Sequence, residues 1–372
     1  MGAIRTIPFS PPDITELEIN EVIDALKSGW ITTGGRTKLF EQKLSEYMGT
    51  RRTVALSAQT TAAEMTLRIL GVGAGDEVIV PAYTYTASAS VIHHVGAKIV
   101  MVDVQPESFE MDYTAVEEAI TERTKVIIPV DLGGRMCDYE RLQEIVERKC
   151  SLFCANNELQ KKYGRIVIMA DSAHGFGAVR KGKCSGQWAD FTTFSFHAVK
   201  NLTTGEGGAV TWKSFDGLSD DWLYQQYMLM SLHGQSKDAF HKSQLGNWEY
   251  DIMYPAYKCN MTDIQAAIGL KQLERYTSIL QRRKEIILRY DDALLPYGVQ
   301  SLIHYDNEIQ SSGHLYLMRI PNITEQERNQ MIVDLAECGV ATNVHYKPLP
   351  MMTAYQKLGF SMRNCCRRTA RS

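Results

Sequence analysis

The sequence lacks any apolar run near the roughly 18 residues that cross a bilayer. Its opening, MGAIRTIPFSPPD, has neither the basic nor the apolar region of a secretory signal. No membrane contact and a cytoplasmic location are therefore expected. A charge of one sign is missing too: 40 Lys and Arg stand against 43 Asp and Glu, a formal charge of -3, which argues against nucleic acid as a partner. The eight cysteines include no CxxC and no Cys/His spacing of a metal site, so reduced thiols and no metal are expected. There is no GKS or GKT phosphate loop, no internal repeat and no low-complexity segment. The glycine-rich GVGAGD at 71–76 precedes a strand pattern, whereas a dinucleotide fingerprint follows a strand and opens a helix, so it reads as a turn.

What is present is an alternation. With 372 residues the chain exceeds the roughly 250–300 at which one hydrophobic core stops growing, so about two domains are expected. Thr15 with Glu18 forms a capping-box pattern opening an amphipathic stretch (Leu17, Ile19, Val22, Ile23, Leu26) that stops at Gly29. Apolar strand patterns follow at TVAL (53–56), EVIV (77–80), KIVMV (98–102), KVIIPV (125–130) and IVIMA (166–170), separated by helical lengths such as TTAAEMTLRIL and YTAVEEAI. Continuous rather than alternating apolar strands between helices indicate a mostly parallel sheet covered on both faces, an α/β class. From Thr262, with Gln265 as capping partner, a helical pattern runs for about 30 residues, longer than a crossover helix. A strand at HLYLMRI, a helix from Thr324 capped by Glu327 and a strand at ATNVHY predict a smaller α+β domain. The expected division is a large domain over 1–255 and a small one, with its connecting helices, over 256–372.

Four features bear on chemistry. In ALSAQTTAAEM a strand runs into a helix whose first turn carries Ser57, Thr60 and Thr61; a helix start with hydroxyls and free N–H groups suits an anion. In IVIMADSAHGFGA, Asp171 ends an apolar strand at the carboxyl edge where ligands bind in open α/β sheets. Lys200 follows 29 residues later, after the strand-like FTTFSF, and Tyr85 lies in PAYTYTASA. Pyridoxal phosphate (PLP) asks for a phosphate cradle, an acid against its ring nitrogen, a lysine for the Schiff base and an aromatic ring on its face. The chain offers one candidate for each. Three of them also have a plainer reading: an ordinary helix cap, a capping aspartate, a solvated lysine. For His197 a packed, hydrogen-bonded histidine is favoured over a catalytic one.

The segments SGWITTGG, GDEVIVPAYTYTASAS, TKVIIPVDLGG, DSAHGFGA, FSFHAVKNLTTGEGG and YKCNMTDIQAAIGL, in that order, resemble the DegT/StrS family of PLP-dependent nucleotide-sugar aminotransferases over about residues 7–360. The resemblance implies a fold type I subunit working as a homodimer with shared active sites. It implies that Lys200 forms the Schiff base and carries the proton, that Asp171 pairs with the pyridine nitrogen, and that Tyr85 packs on the ring. It places His174 beside the cofactor, Ser195 and Thr60 on its phosphate with Thr61 adjacent, and Asn260 reaching that phosphate from the partner subunit. His345 and Lys347 match a loop that can approach the neighbouring site, or are a surface strand end. The implied reaction moves an amino group from an amino acid, L-glutamate, to a nucleotide-linked keto sugar. FHAVKN and TTGEGG resemble members acting on 4-keto-6-deoxy sugars, for polysaccharide or glycoconjugate synthesis.

Departures keep other readings open. Ala58 and Gln59 stand where small residues usually precede the phosphate threonine, and Ala256 and Cys259 where a glycine and an aromatic are common. After YQKLGF the chain reads SMRNCCRRTARS, which reads as a truncation or reading-frame change that leaves the small domain incomplete or altered after about 360. A non-catalytic or regulatory PLP-binding homologue is one alternative. A PLP-dependent sugar dehydratase is another, against which the presence of Lys200 speaks.

Overall fold

The computed structural model describes residues 5–106, 108–236 and 249–365; the arginine-rich tail from Cys366 lies outside the described residues. The central sheet has seven strands: β1 Thr53–Leu56, β2 Glu77–Pro81, β3 Lys98–Val102, β4 Thr124–Ile127, β5 Val167–Asp171, β8 Phe191–Ser195 and β9 Gly208–Trp212. Between β5 and β8 lie the short strands β6 (Val179–Arg180) and β7 (Lys183–Cys184), which belong to a separate sheet. The order across the central sheet is β1-β9-β8-β5-β4-β2-β3. All neighbours run parallel except β9, which is antiparallel to both β8 and β1.

Successive side chains of these strands enter different cores. Val78 and Val80 join Val167 and Met169 on one face, while Ile79 joins Ile168 and Ala170 on the other. A strand that points alternately into two dry layers needs apolar residues at every position, which is why these runs lack polar alternation. Helices α1 Glu16–Lys27, α2 Gly35–Met48, α3 Gln59–Ile69, α4 Thr86–His94, α5 Tyr113–Ala119, α6 Tyr139–Arg148, α7 Glu158–Tyr163 and α8 Asp220–Ser231 accompany the strands. The strand and helix patterns of the first half thus form where the sequence places them.

Both the Thr15/Glu18 and the Thr262/Gln265 capping boxes form, as does that of Thr324 and Glu327 at α11 (Glu325–Glu337). The face of α1 is a surprise. Leu17, Ile19, Ile23 and Leu26 are exposed, while Glu18 is buried, bonded to Thr15, Gln272 and Arg275. Burial pushes the Glu18 carboxyl up, but these donors outweigh it and hold the pKa at about 2.

Three expectations for the second half need correction. The long helix is two, α9 Asp263–Glu274 and α10 Tyr276–Leu294, because Arg275 leaves helical geometry to bond Asp13 and Glu18. In HLYLMRI only Met318–Arg319 (β11) is strand, paired with β10 (Gln300–Ser301). Its first residues are drawn instead to the loop after β4, where His314 N and Leu315 N donate to Gly133 O. ATNVHY is not a strand. The one bridge to Ile7 is made by Val340, just before it, and the rings of His345 and Tyr346 turn to Phe9, Tyr83 and Tyr85. Leu132, Leu302, Leu315 and Leu317 form a small core that joins this second half to the sheet edge.

Candidate active site

The carboxyl ends of β5 and β8 and the start of α3 enclose one site. Asp171, 6% exposed, is the last residue of β5 and pairs in register with Thr193 of β8. Ser88 Oγ of α4 donates to its Oδ2 at 2.6 Å, and Ala173 N donates to Oδ1 at 3.2 Å. Burial raises the Asp171 pKa, against the opposing pull of Ser88, Ala173, Lys200 and Gln59. Lys200 sits in the loop between β8 and β9. Burial lowers its pKa from 10.5 to about 8, with Asp171 pulling the other way. A buried acid and a half-buried amine thus share one space, each displaced toward its neutral form.

The loop that carries Lys200 is closed by its own threonines. Thr203 Oγ1 donates to Phe196 O at 3.1 Å and accepts from Gly205 N at 2.9 Å; Thr204 Oγ1 donates to Glu206 O at 2.7 Å. Two glycines then allow close passage. A Cβ on Gly207 would meet Thr204 Oγ1 at 2.1 Å, and one on Gly208 would lie 2.3 Å from Ala58 C and Gln59 N. The close approach of Gly208 is to the backbone that begins α3.

That helix start is open. Ala58, its N-cap, provides no side-chain cap, so the first N–H groups of α3 lack an intrahelical partner. Ser195 ends β8 opposite Gly208, which is itself opposite Leu56, so the three form one row that leads to the helix start. Thr60 lies in the first turn with its backbone N–H among those free donors. The Thr61 hydroxyl donates to Ala58 O at 2.7 Å, leaving the threonine's contribution to its oxygen and backbone. Asn260 is bridged to Leu56, and its side chain bonds Thr33, Met261 O and Lys258 of its own chain.

Aromatic and imidazole rings complete the walls. Tyr85, the N-cap residue of α4, is 59% exposed, with the Tyr346 ring 5.8 Å away. His174 is buried; Gly133 N donates to its Nδ1 at 3.2 Å, which leaves the proton on Nε2, 3.4 Å from the Tyr346 oxygen. Burial, then Lys200 and His345, drives its pKa well below the ordinary value. His314 packs 4.4 Å from the His174 ring and bonds Asn201 Oδ1 through Nδ1 at 2.9 Å. His197 is not packed: it is exposed, with Glu206 Oε1 3.5 Å from Nε2. His345 lies close enough to lower the pKa of His174, so the VHYKPLP loop approaches the site of its own chain.

Sequence reasoning named Asp171, Lys200, Ser195, Thr60, Tyr85 and His174, which the structure brings around one space, and Thr61 and Asn260, which lie at its margin. It missed Ser88, His314 and Tyr346, and it took Gln59 for a foreign residue in the cradle. Ser88 had a signal: it lies one α-helical turn into the segment that opens with Tyr85. Among the described residues no group of three or more His, Cys, Asp or Glu could hold a metal ion, and no helix is long and apolar enough to cross a membrane.

The model of the DegT/DnrJ/EryC1/StrS aminotransferase family matches residues 12–371. The chain is 35% identical over 356 residues to the spore coat polysaccharide biosynthesis protein SpsC of Bacillus subtilis, covering 94% of this chain and 86% of that one. It is 34% identical over 354 residues to the UDP-4-amino-4-deoxy-L-arabinose–oxoglutarate aminotransferase of Shewanella sediminis, with the same two shares, 94% and 86%. Spr1654 of Streptococcus pneumoniae, described as a sugar aminotransferase and solved in its PMP form, superposes with a TM-score of 0.94 at 56% identity, covering 98% of this chain and 90% of that one. The same protein is known in a PLP form, matched at 55% identity and a TM-score of 0.94, over 98% and 91% of the two chains. The architecture is that of the fold type I enzymes, and the chain is an enzyme that belongs to the DegT/DnrJ/EryC1/StrS aminotransferase family.

Proposed function

We propose that the enzyme uses pyridoxal phosphate to pass an amino group from L-glutamate to a nucleotide-linked keto sugar, a 4-keto-6-deoxy sugar. The same proposal makes it a cytoplasmic homodimer with shared active sites, supplying polysaccharide or glycoconjugate synthesis. The observation that carries it is the pairing, in one buried space, of the Asp171 carboxyl and the Lys200 amine beside an uncapped helix start. An uncapped helix start that only a glycine at 208 can approach so closely, a buried acid facing the Lys200 amine and an open tyrosine face fit this cofactor.

Pyridoxal phosphate, when bound, supplies an electron sink for the carbon that gains or loses the amino group. The chain supplies the rest. Lys200 is neutral in a useful fraction near pH 8, so its Nζ is able to attack a carbonyl carbon and to take or return a proton. Asp171 holds a positive charge at a ring nitrogen. The free N–H groups of α3, with Ser195 and Thr60, hold a phosphate through charge-assisted bonds. Tyr85 covers a ring face, and His174, held neutral, lines the site without adding a second positive charge. Asn260 is assigned to the partner's phosphate.

The donor and the amination of a nucleotide-linked sugar at C4 are supported by a relative's name that joins a UDP-linked 4-amino pentose to oxoglutarate, the keto acid glutamate leaves behind; the 6-deoxy part rests on the FHAVKN and TTGEGG resemblance. The dimer is supported by the exposed apolar face of α1 and by exposed Tyr250, Ile252, Met253 and Tyr257 near Asn260. The domain division at 255/256 belongs to the same reading, with α9 and α10 as the connection.

Purified protein is expected to show a visible absorbance band that glutamate discharges and that Lys200→Ala lacks. A band that persists in Lys200→Ala overturns the role of the lysine. A band that glutamate leaves unchanged supports a PLP-binding homologue without aminotransferase activity; an oxidised deoxy-sugar product without amino transfer supports the dehydratase.

A further inference from the structure

Gln59 places a long amide at the first position of α3, where an anion cradle needs space. Its side chain does not fill that space. It is 5% exposed, and Nε2 donates to Thr193 Oγ1 at 3.0 Å. Thr193 is the residue paired with Asp171 across β5 and β8, and its own hydroxyl donates to Ala170 O at 3.1 Å. An amide nitrogen carries two protons. Through Thr193, which is in register with Asp171, the Gln59 amide stands beside the Asp171 carboxyl and helps to hold its pKa down. Its backbone is pinned as well, since Gly208 packs directly against Gln59 N.

The carboxyl of Asp171 is therefore bonded from two elements and neighboured from a third. Ser88 of α4 bonds Oδ2, Ala173 of the following turn bonds Oδ1, and Gln59 approaches from α3. Only Gln59 belongs also to the opposite end of the site: its backbone N–H is one of the free donors of the helix start. A small residue at this position would leave those donors intact but would sever the link to the acid.

We infer that Gln59 is a positioning residue that fixes the orientation of the Asp171 carboxyl and couples it to the anion-binding start of α3. The inference rests on the pyridoxal phosphate reading above. A carboxyl so held keeps one oxygen directed at a ring nitrogen and stays ionised there. Loss of the amide lets the carboxyl rotate and raises its affinity for a proton, so a ring nitrogen beside it is less firmly held in protonated form. The remaining titratable groups facing Asp171 are Lys200, Asp131 and Tyr346, and none is altered by the variants below.

Gln59→Met keeps the length of the side chain and removes both donors. Thr193→Val leaves Gln59 in place and removes the oxygen that anchors its amide. Both are compared with wild type in cofactor-free form by far-UV dichroism and melting, then by titration with pyridoxal phosphate and by the pH dependence of the visible band. Gln59→Met is expected to bind the cofactor about tenfold more weakly. The pH midpoint of its band is expected to move up by at least about 0.5, because a less protonated ring nitrogen disfavours a positive charge on the lysine nitrogen less. Thr193→Val moves the same way by a smaller step. The midpoint is read on whichever variant keeps the wild-type far-UV spectrum. A melting temperature that falls while the affinity and the midpoint stay at wild-type values overturns the inference and leaves Gln59 a packing residue. A wild type without any visible band overturns the cofactor reading itself, and the inference with it.

Discussion

Removing the ammonium of Lys200 is expected to stabilise the cofactor-free protein. Lys200 has its pKa lowered from 10.5 to about 8 by burial, and the favourable pull of Asp171 is already contained in that value. Each tenfold loss of proton affinity is worth ~1.4 kcal/mol, so holding the lysine protonated inside the fold costs about 3 kcal/mol at pH 7. Lys200→Met keeps the stem and removes the charge. The signs are definite: between pH 8 and 10.5 the unfolded chain binds the proton that the folded chain has released, so wild-type stability rises with pH across that window. The penalty is complete below 8 and gone above 10.5. Melts of the two cofactor-free proteins at equal protomer concentration should therefore separate by roughly 4 °C at pH 7, given ~2 cal/mol/K of unfolding entropy per residue. The two curves should converge at pH 10.5. Equal stability at pH 7, or a gain that persists unchanged at pH 10.5, would falsify the claim that the fold buries this amine at a cost.

Two further perturbations probe the frame around the site. Gly208→Ala puts a Cβ 2.3 Å from backbone atoms of Ala58 and Gln59; about 2–3 kcal/mol of stability should be lost in denaturant titration, together with cofactor affinity. An unchanged affinity would show that β9 does not shape the cradle. Glu18, held at about 2 by Thr15 and Arg275 despite burial, contributes stability above pH 4.5 that is lost as pH falls toward 2. Glu18→Gln should melt lower than wild type at pH 7 and show a flatter acid limb, and a parallel acid limb would count against the buried ion pair.

The strands and the acid were legible because the signals were local. Dry apolar runs give parallel strands whichever neighbour they find, and Asp171 stands at the end of one of them. Lys200 became legible through its spacing from that strand. What stayed hidden depended on partners far along the chain. Ser88 and Gln59 look like ordinary polar residues of helix starts until Asp171 is set between them. His314 sits in a run that reads as strand, yet Gly133 captures its backbone and Asn201 its ring. Arg275 reads as mid-helix, and only the distant Asp13 and Glu18 explain why the helix breaks there. The apolar stripe of α1 reads as a core face, and in the single chain it lies outward.

The contact of Gly208 with Ala58 and Gln59 has a consequence for the order of folding. The two segments are 150 positions apart in the chain; β9 pairs with the nearby β8 on one side, but its other neighbour, β1, belongs to that distant segment. Bringing such remote pieces together incurs a loop-closure entropy that nearer contacts do not, so these are expected to be late events in acquiring the native state. The anion-binding end of the site therefore comes into being near the end of folding, and a cofactor can lock the finished fold without serving as its nucleus.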